Sequence, residues 1–393
     1  MSVKKKRIIY IVSLLHKSLL WEWKINYYKN SEDFEVSFVL MNAVNNTPAA
    51  DYILKSGLKL WQINYSGKKD LVKAIIKIVI IFLRERPAII NVNGFDASLA
   101  GMIAARLAGI KIRINTRHHS NYHLINFPHA VKYDKLVNKL STHIIAASEV
   151  VKKLLVVQEG VPEEKVKTIN FGFELSEFEN ITPSRINSLK EKYKLPENSY
   201  PVVGVISRFI FWKGIQYIIP AFQKFLNKFP QAHLILANAS GEYNNNIRGM
   251  LKELPENSYT TINYEEDSAA LYQLFDYFIH VPVDNESEAF GQVYVESLAA
   301  GIPSIFTLSG IANDFIVNGE NALVVNYKST EEIYNALFLL SSDKALRDKI
   351  IIKGKLSVQE KFQFKRMAVE MDNFYYSEIL KLSKKIDSPV GIN

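Results

Sequence analysis

Two series of short apolar runs, each run followed by a stretch with helical spacing, constrain this chain more tightly than anything else in it. The first series is IIYIVSLL, FEVSFVLM, LKLWQINY, AIINVNG, KIRINTRH, THIIAAS and KVKTINFG, and it ends before about Phe178. These runs are mostly continuous in hydrophobicity rather than alternating, which suits strands of a parallel sheet covered by helices on both faces. Helical stretches such as residues 98–107 lie between them, so the reading is a doubly wound α/β domain. Residues 180–200, with Pro183, Pro196 and a charged middle, carry no strand signal and serve as a linker region. A second series follows: VVGVISRF, HLILANAS, YTTINYEE, YFIHVPV, PSIFTLS and NALVVNY. No fixed sequence period accompanies the two series, so the repetition is one of architecture. From Ser329 onward the chain is helical, and residues 362–382 place aromatic and aliphatic side chains at helical spacing.

At 393 residues the chain exceeds one ordinary core and fits two domains of roughly 150 to 200 residues. Its 48% hydrophobic and 22% charged content belongs to a folded globular protein. Lysine and arginine exceed aspartate and glutamate by 48 to 40, a net charge of +8. That excess favours phosphorylated ligands or anionic lipid, but it is spread along the chain and implies no nucleic-acid partner. The absence of cysteine excludes disulfides and thiolate chemistry and suits a reducing cytoplasm. The start, MSVKKKRIIYIVSLLHK, imitates a signal peptide, yet its apolar run stops at His16 and Lys17 without a small-residue cleavage site, so a first strand is expected. No window reaches the roughly 18 uninterrupted apolar residues of a membrane span.

Residues 281–303, VPVDNESEAFGQVYVESLAAGIP, hold the densest chemistry. An apolar strand end breaks into an acidic loop, tightens at Gly291 and becomes a helix with Val293, Val295, Leu298 and Ala299 suited to burial. The backbone N–H groups of Phe290, Gly291 and Gln292 precede the first helical turn, so with the helix dipole they can bind an anion such as a phosphate. Glu288 and Glu296 bracket the turn as acceptors for pairs of hydroxyl groups. A ligand carrying both phosphate and vicinal hydroxyls is a nucleotide sugar.

The run Glu288-Ala289-Phe290-Gly291, then Glu296, then Ala300-Gly301-Ile302-Pro303, resembles the signature of the family 4 retaining glycosyltransferases. The resemblance implies the α/β GT-B fold, two Rossmann-like doubly wound domains facing each other across a cleft. Residues 1–182 would form the acceptor side, 183–365 the nucleotide-sugar-binding domain, and 366–393 a helix crossing back onto the first. The family has Gly-Arg, a short gap and Lys-Gly after the first strand of the second domain, where Arg and Lys clamp the donor pyrophosphate. Here Ser207-Arg208 and Lys213-Gly214 match, with Ser207 in place of glycine. By resemblance Glu288 holds sugar hydroxyls and Glu296 the ribose, while Phe290, Gly291 and Gln292 meet the phosphate.

The segment NTRHHSNYHLINFPH contains four of the eight histidines. His119 and His123 have a spacing that suits metal ligation, but no glutamate-containing zinc motif surrounds them, and no metal is expected. The family places a histidine two residues after Thr or Ser at the end of the fifth strand, facing the donor sugar. Thr116-Arg117-His118 fits, and His119 is the rival. Many relatives carry a glycine-rich loop after the first strand, whereas Ser13-Leu14-Leu15-His16-Lys17-Ser18 has no glycine. Residues 69–86 pattern as a helix with Asp70, Lys73, Lys77 and Arg84 in one stripe and apolar side chains nearly everywhere else. Burial against the sheet is one reading; docking on an anionic membrane surface, helped by Lys4, Lys5, Lys6, Arg7 and Lys68, is the other.

The resemblance therefore implies a retaining hexosyltransferase that moves a sugar from a nucleotide diphosphate donor, with UDP the first expectation, to a hydroxyl of a glycan or lipid-linked acceptor in cell-surface polysaccharide or glycolipid synthesis. The expected catalytic residues are His118, Glu288, Arg208 and Lys213, with no cofactor. The expected location is the cytoplasm, with attachment to the inner face of the membrane left open. The rivals are a nucleotide-sugar epimerase on the same fold and a non-catalytic glycan-binding relative.

Overall fold

The computed structural model describes residues 5–387, so Lys4 and the last residues of the expected C-terminal segment lie outside the described residues. The chain forms two compact units. One comprises the residues up to Phe173 together with those from Phe364 on; the other is Glu174–Gln363. The resemblance put the changeovers at 182/183 and 365/366. The contacts change at Glu174 because the turn Leu175–Phe178 packs into the second unit, where the Phe178 ring lies 6.1 Å from that of Tyr272.

In the first unit the strands are β1 (Lys6–Ser13), β2 (Phe34–Asn42), β3 (Lys59–Asn64), β4 (Ile89–Asn93), β5 (Ile112–Arg117), β6 (His143–Ala146) and β7 (Val166–Thr168). They form a parallel sheet in the order β3-β2-β1-β4-β5-β6-β7. In the second unit β8 (Val202–Ile206), β9 (His233–Ala237), β10 (Tyr259–Ile262), β11 (Tyr277–His280), β12 (Ser304–Phe306) and β13 (Leu323–Val324) form a parallel sheet ordered β10-β9-β8-β11-β12-β13. Each apolar run of the sequence overlaps one of these strands. Central strands are buried on both faces, as Ile8 through Val12 in β1 and all of β4 show, which is why they carry continuous rather than alternating hydrophobicity.

Helices cover both sheets. In the first unit Ala74, Ile78 and Phe82 of the helix Leu71–Glu85 and the small side chains of Phe95–Leu107 close one face. The helix Phe364–Asp387 also belongs to this unit. Its Tyr375 is fully buried, its hydroxyl lies 2.8 Å from that of Tyr10, and it accepts a 2.9 Å hydrogen bond from the Asn91 amide. In the second unit Ile215, Ile218, Phe222 and Phe225 of the helix Ile215–Leu226 pack on β8, β9 and β11. The helix Leu71–Glu85 is buried on one face only; Val72, Ile76, Ile80 and Leu83 point to solvent.

Candidate active site

In the second sheet the chain order reverses between β8 and β11, so the loops leaving their carboxyl ends are neighbours. Open parallel sheets present ligand sites at such a switch point. After β8 come Ser207 and Arg208, the turn Phe211–Lys213, and Gly214 at φ +77°. A Cβ at Gly214 would lie 1.9 Å from the carbonyl oxygen of Val281, so the two loops meet backbone to backbone. The Val283 N–H donates to the Trp212 carbonyl at 3.0 Å and fixes that meeting.

After β11 the loop is folded by Asp284, whose Oδ1 accepts from the N–H groups of Glu286 and Ser287 at 2.9 and 2.7 Å. Glu288 follows, 6% exposed, its own N–H donating to the Ser309 hydroxyl at 3.1 Å. Its Oε1 accepts from the Lys213 ammonium and from His280 Nε2, the latter at 2.9 Å. Oε2 has no partner among the described residues. Burial alone would raise this carboxyl, but the Lys213 charge and the His280 hydrogen bond outweigh it and hold the pKa at about 2. Burial lowers the pKa of His280, and a neutral imidazole whose Nε2 faces a carboxylate must carry its proton there. Lys213 Nζ also lies 4.4 Å from the centre of the Trp212 ring. Arg208 is exposed, and its guanidinium has no hydrogen-bond or ion-pair partner among the described residues. Beside it Ser207 is buried with its hydroxyl likewise unpartnered.

Gly291, at φ +84°, caps the helix Gln292–Ala299, and a Cβ there would lie 2.6 Å from the Tyr294 ring. The N–H groups of Gly291 and Gln292 find no acceptor among the described residues. The Phe290 ring is spent on the core, 6.0 Å from Phe362, so only its backbone can serve a ligand. Along the helix, Glu296 Oε2 accepts from the Tyr272 hydroxyl at 2.9 Å. Burial pushes this carboxyl up to about 7, with the tyrosine hydrogen bond only partly opposing it. The two glutamates are thus held apart in different states at pH 7, Glu288 ionised and Glu296 about half protonated. The structure joins Lys213 to Glu288, with Ser207 and Arg208 on the same loop after β8, and with Gly291, Gln292 and, further along the helix, Glu296 following the loop after its neighbour β11.

The first unit holds His118, one residue past β5. The imidazole is exposed, its Nε2 lies 2.9 Å from Asn93 Oδ1, and it stacks on Phe171. Asn93 in turn donates to Asn91 Oδ1, which also accepts from the Thr116 hydroxyl at 2.9 Å. His119 turns elsewhere. Its Nε2 lies 3.5 Å from Asp134 Oδ1, while His123 Nδ1 lies 2.7 Å from Oδ2. The buried Arg117 guanidinium pairs with Asp134 at 3.3 Å and with Glu159 at 2.5 Å. Asp134 therefore already meets a full positive charge, an arrangement that serves an ion-paired cluster better than a cation. In the glycine-free loop after β1, Leu14 takes the left-handed conformation at φ +58°, and Asn42 ties the turn by bonding both the N–H and the carbonyl of Leu15.

Sequence reasoning missed His280, Trp212 and Tyr272. His280 had one usable signal, a polar residue closing an otherwise apolar strand eight positions before Glu288.

The family model "Glycosyltransferase Family 4" matches residues 31–177, and the model "Glycosyl transferases group 1" matches residues 187–357. The chain belongs to the family 4 glycosyltransferases. This glycosyltransferase is 28% identical over 313 residues to the capsular polysaccharide biosynthesis glycosyltransferase CapM of Staphylococcus aureus, covering 77% of this chain and 80% of that one. It is 23% identical over 301 residues to the N-acetyl-alpha-D-glucosaminyl L-malate synthase of Bacillus anthracis, 75% of each chain. Among solved structures it matches Anabaena HepE in complex with UDP-glucose at a TM-score of 0.80, with 19% identity over 94% of this chain and 99% of that one. The glycosyltransferase thus has the GT-B fold that its sequence implied.

Proposed function

We propose that the enzyme transfers a hexosyl group, with retention of configuration, from a nucleoside diphosphate sugar to a hydroxyl of a glycan or lipid-linked acceptor at the cytoplasmic face of a membrane. The observation that carries this reading is the convergence, at one sheet switch point, of unsatisfied donors with a carboxylate that keeps a free oxygen. The unpartnered Arg208 guanidinium, the Lys213 ammonium and the N–H groups of Gly291 and Gln292 supply the positive field for a diphosphate. As the bond to the sugar breaks, negative charge grows on the departing diphosphate, and these groups stabilise it without reorganising. We assign no metal to this step because the side chains and backbone dipoles already provide the charge.

Glu288 Oε2 is the acceptor left for sugar hydroxyls once Oε1 is taken by Lys213 and His280. Glu296 Oε1 is the acceptor left for the ribose, since Oε2 holds Tyr272. We give His118 the sugar contact that the family resemblance assigns it. Retention follows if the departing phosphate takes the proton of the attacking hydroxyl on the same face of the sugar. The solved structure of HepE with UDP-glucose supports UDP as the first donor to try, and CapM supports an acceptor in polysaccharide synthesis.

The test is nucleoside diphosphate release from a panel of nucleotide sugars, with and without glycan and lipid-linked acceptors. Arg208→Ala should cost about 2 to 4 kcal/mol of transition-state stabilisation, roughly 30- to 1,000-fold in turnover. Unchanged turnover in that variant, or no release from any donor, overturns the assignment.

A further inference from the structure

Three helices, Leu71–Glu85, Phe95–Leu107 and Val131–Leu140, form one layer over the first sheet. Their starts are joined by aromatic contacts: the Phe95 and Tyr133 rings lie 6.2 Å apart, and Lys68 Nζ sits 5.2 Å from the Tyr133 centroid. On the outer side of the first helix Val72, Ile76, Ile80 and Leu83 are 68, 55, 54 and 58% exposed. They recur at helical spacing, so they form a continuous aliphatic stripe along a 15-residue helix rather than scattered surface residues. Lys73, Lys77 and Arg84 are exposed along the same helix. The charge pattern of the whole layer is one-sided. Arg106 on the second helix and Lys132, Lys135 and Lys139 on the third are exposed as well, whereas the acidic residues of all three helices are engaged elsewhere: Glu85 with Lys59, Asp96 with Tyr65, and Asp134 with Arg117.

We propose that this layer is a membrane-docking face, with the aliphatic stripe of Leu71–Glu85 lying in the headgroup boundary of an anionic bilayer and the surrounding lysines and arginines on its phosphates. An aliphatic stripe flanked by cations is what an interfacial helix needs, because burial of the stripe and attraction to anionic lipid add. A second copy of the chain fits worse, since two such faces would bring like charges together. Nucleic acid would use the cations and leave the aliphatic stripe in water. Among the described residues no helix is long and apolar enough to cross a membrane, so the contact is with the surface. The inference deepens the proposed function by placing its acceptor at a membrane, but it stands on the surface alone.

The full chain should co-sediment with vesicles of phosphatidylglycerol and phosphatidylcholine, far less with phosphatidylcholine alone, and less again as salt rises. Lys73→Gln with Lys77→Gln should weaken partitioning about 25-fold, about fivefold for each lysine. Ile76→Ser with Ile80→Ser, both at exposed positions, should weaken it at every salt concentration by about tenfold or more. Nucleoside diphosphate binding in solution should stay unchanged in both variants. Equal recovery with neutral and anionic vesicles overturns the proposal, as does wild-type partitioning of the isoleucine variant, which would mean adsorption by charge alone. A protein that binds anionic vesicles but no nucleoside diphosphate would overturn the proposed function and leave the docking face standing.

Discussion

Glu288 stands where a carboxylate is costly unless paired, and both of its bonds fall on Oε1. Glu288→Gln strands Lys213 and His280, so at neutral pH the variant should lose about 3 kcal/mol of stability. The folded pKa of about 2 lies below the ordinary 4.5, so the pairing stabilises fully above pH 4.5 and is lost as pH falls toward 2. Melting curves between pH 5 and 2.5 should therefore fall less steeply for Glu288→Gln than for the wild type. Lys213, freed from its carboxylate, should bind nucleoside diphosphate within about threefold of wild type or more tightly, while turnover drops by about tenfold or more. Loss of diphosphate binding in the folded variant would refute this division of labour. Glu296 behaves oppositely. Raised to about 7, it holds a proton in the folded protein between pH 4.5 and 7 that the unfolded chain has lost, so its contribution to stability declines as pH rises through that window. Ribose hydroxyls donate best to the ionised form, so nucleotide binding at pH 7 should release about half a proton. Calorimetry in buffers of different ionisation enthalpy measures that release, and Glu296→Gln should abolish it. Glu288 and Glu296 were legible because they bracket one turn, and Arg208 and Lys213 because the family resemblance points to the loop after β8. Their partners His280 and Tyr272 were not, because a lone histidine in a strand and a tyrosine 24 residues away become neighbours only through the sheet order.

At the scale of elements, the parallel strands were legible because burial on both faces writes them as apolar runs. Their carboxyl ends were not: the runs continue past β5 into His118 and past β8 into Phe209, where the chain has already left the sheet. Loop residues that pack under a ligand site stay apolar, so hydrophobicity does not mark where hydrogen bonding stops. The loop after β1 shows a second limit. Sequence flagged the missing glycine, and the structure puts Leu14, 80% exposed, into the left-handed turn that glycine would take, held by Asn42. Gly214 has no such latitude, because its positive φ coincides with a backbone approach so close that a Cβ would lie 1.9 Å from the Val281 carbonyl oxygen. Gly214→Ala should push the β8 loop off Val281, lower stability by about 2 kcal/mol or more and reduce diphosphate affinity together with turnover. Thermal denaturation and calorimetric titration check it; an alanine variant with wild-type stability and affinity would show that the loops can separate without consequence.

At the scale of the molecule, the second unit is one continuous stretch of chain, whereas the first is completed by a helix that arrives only after the second has been built. The apolar spacing of that helix was visible in sequence, but spacing does not say which sheet it covers; the resemblance implied it. The contacts say why the arrangement matters. Phe364, Met367, Met371 and Tyr375 are buried, Trp23 and Phe34 lie against Phe364 and Tyr375, and the hydroxyls of Tyr27 and Tyr28 both donate to Asp372. Losing one large buried aromatic costs about 3 to 5 kcal/mol, and a domain's whole stability is about 5 to 15. Two or three such losses leave nothing. A fragment of residues 1–173 should therefore lack a cooperative thermal transition, and joining residues 364–393 to it through a flexible linker should restore one. A fragment of residues 174–363 should melt cooperatively by itself and, since it keeps Arg208, Lys213, Glu288 and Glu296, bind nucleoside diphosphate with a wild-type dependence on Arg208. Circular dichroism melts and calorimetric titration of the fragments decide the matter. If residues 1–173 melt cooperatively without the last helix, that helix is an appendage to the first unit and not part of its core.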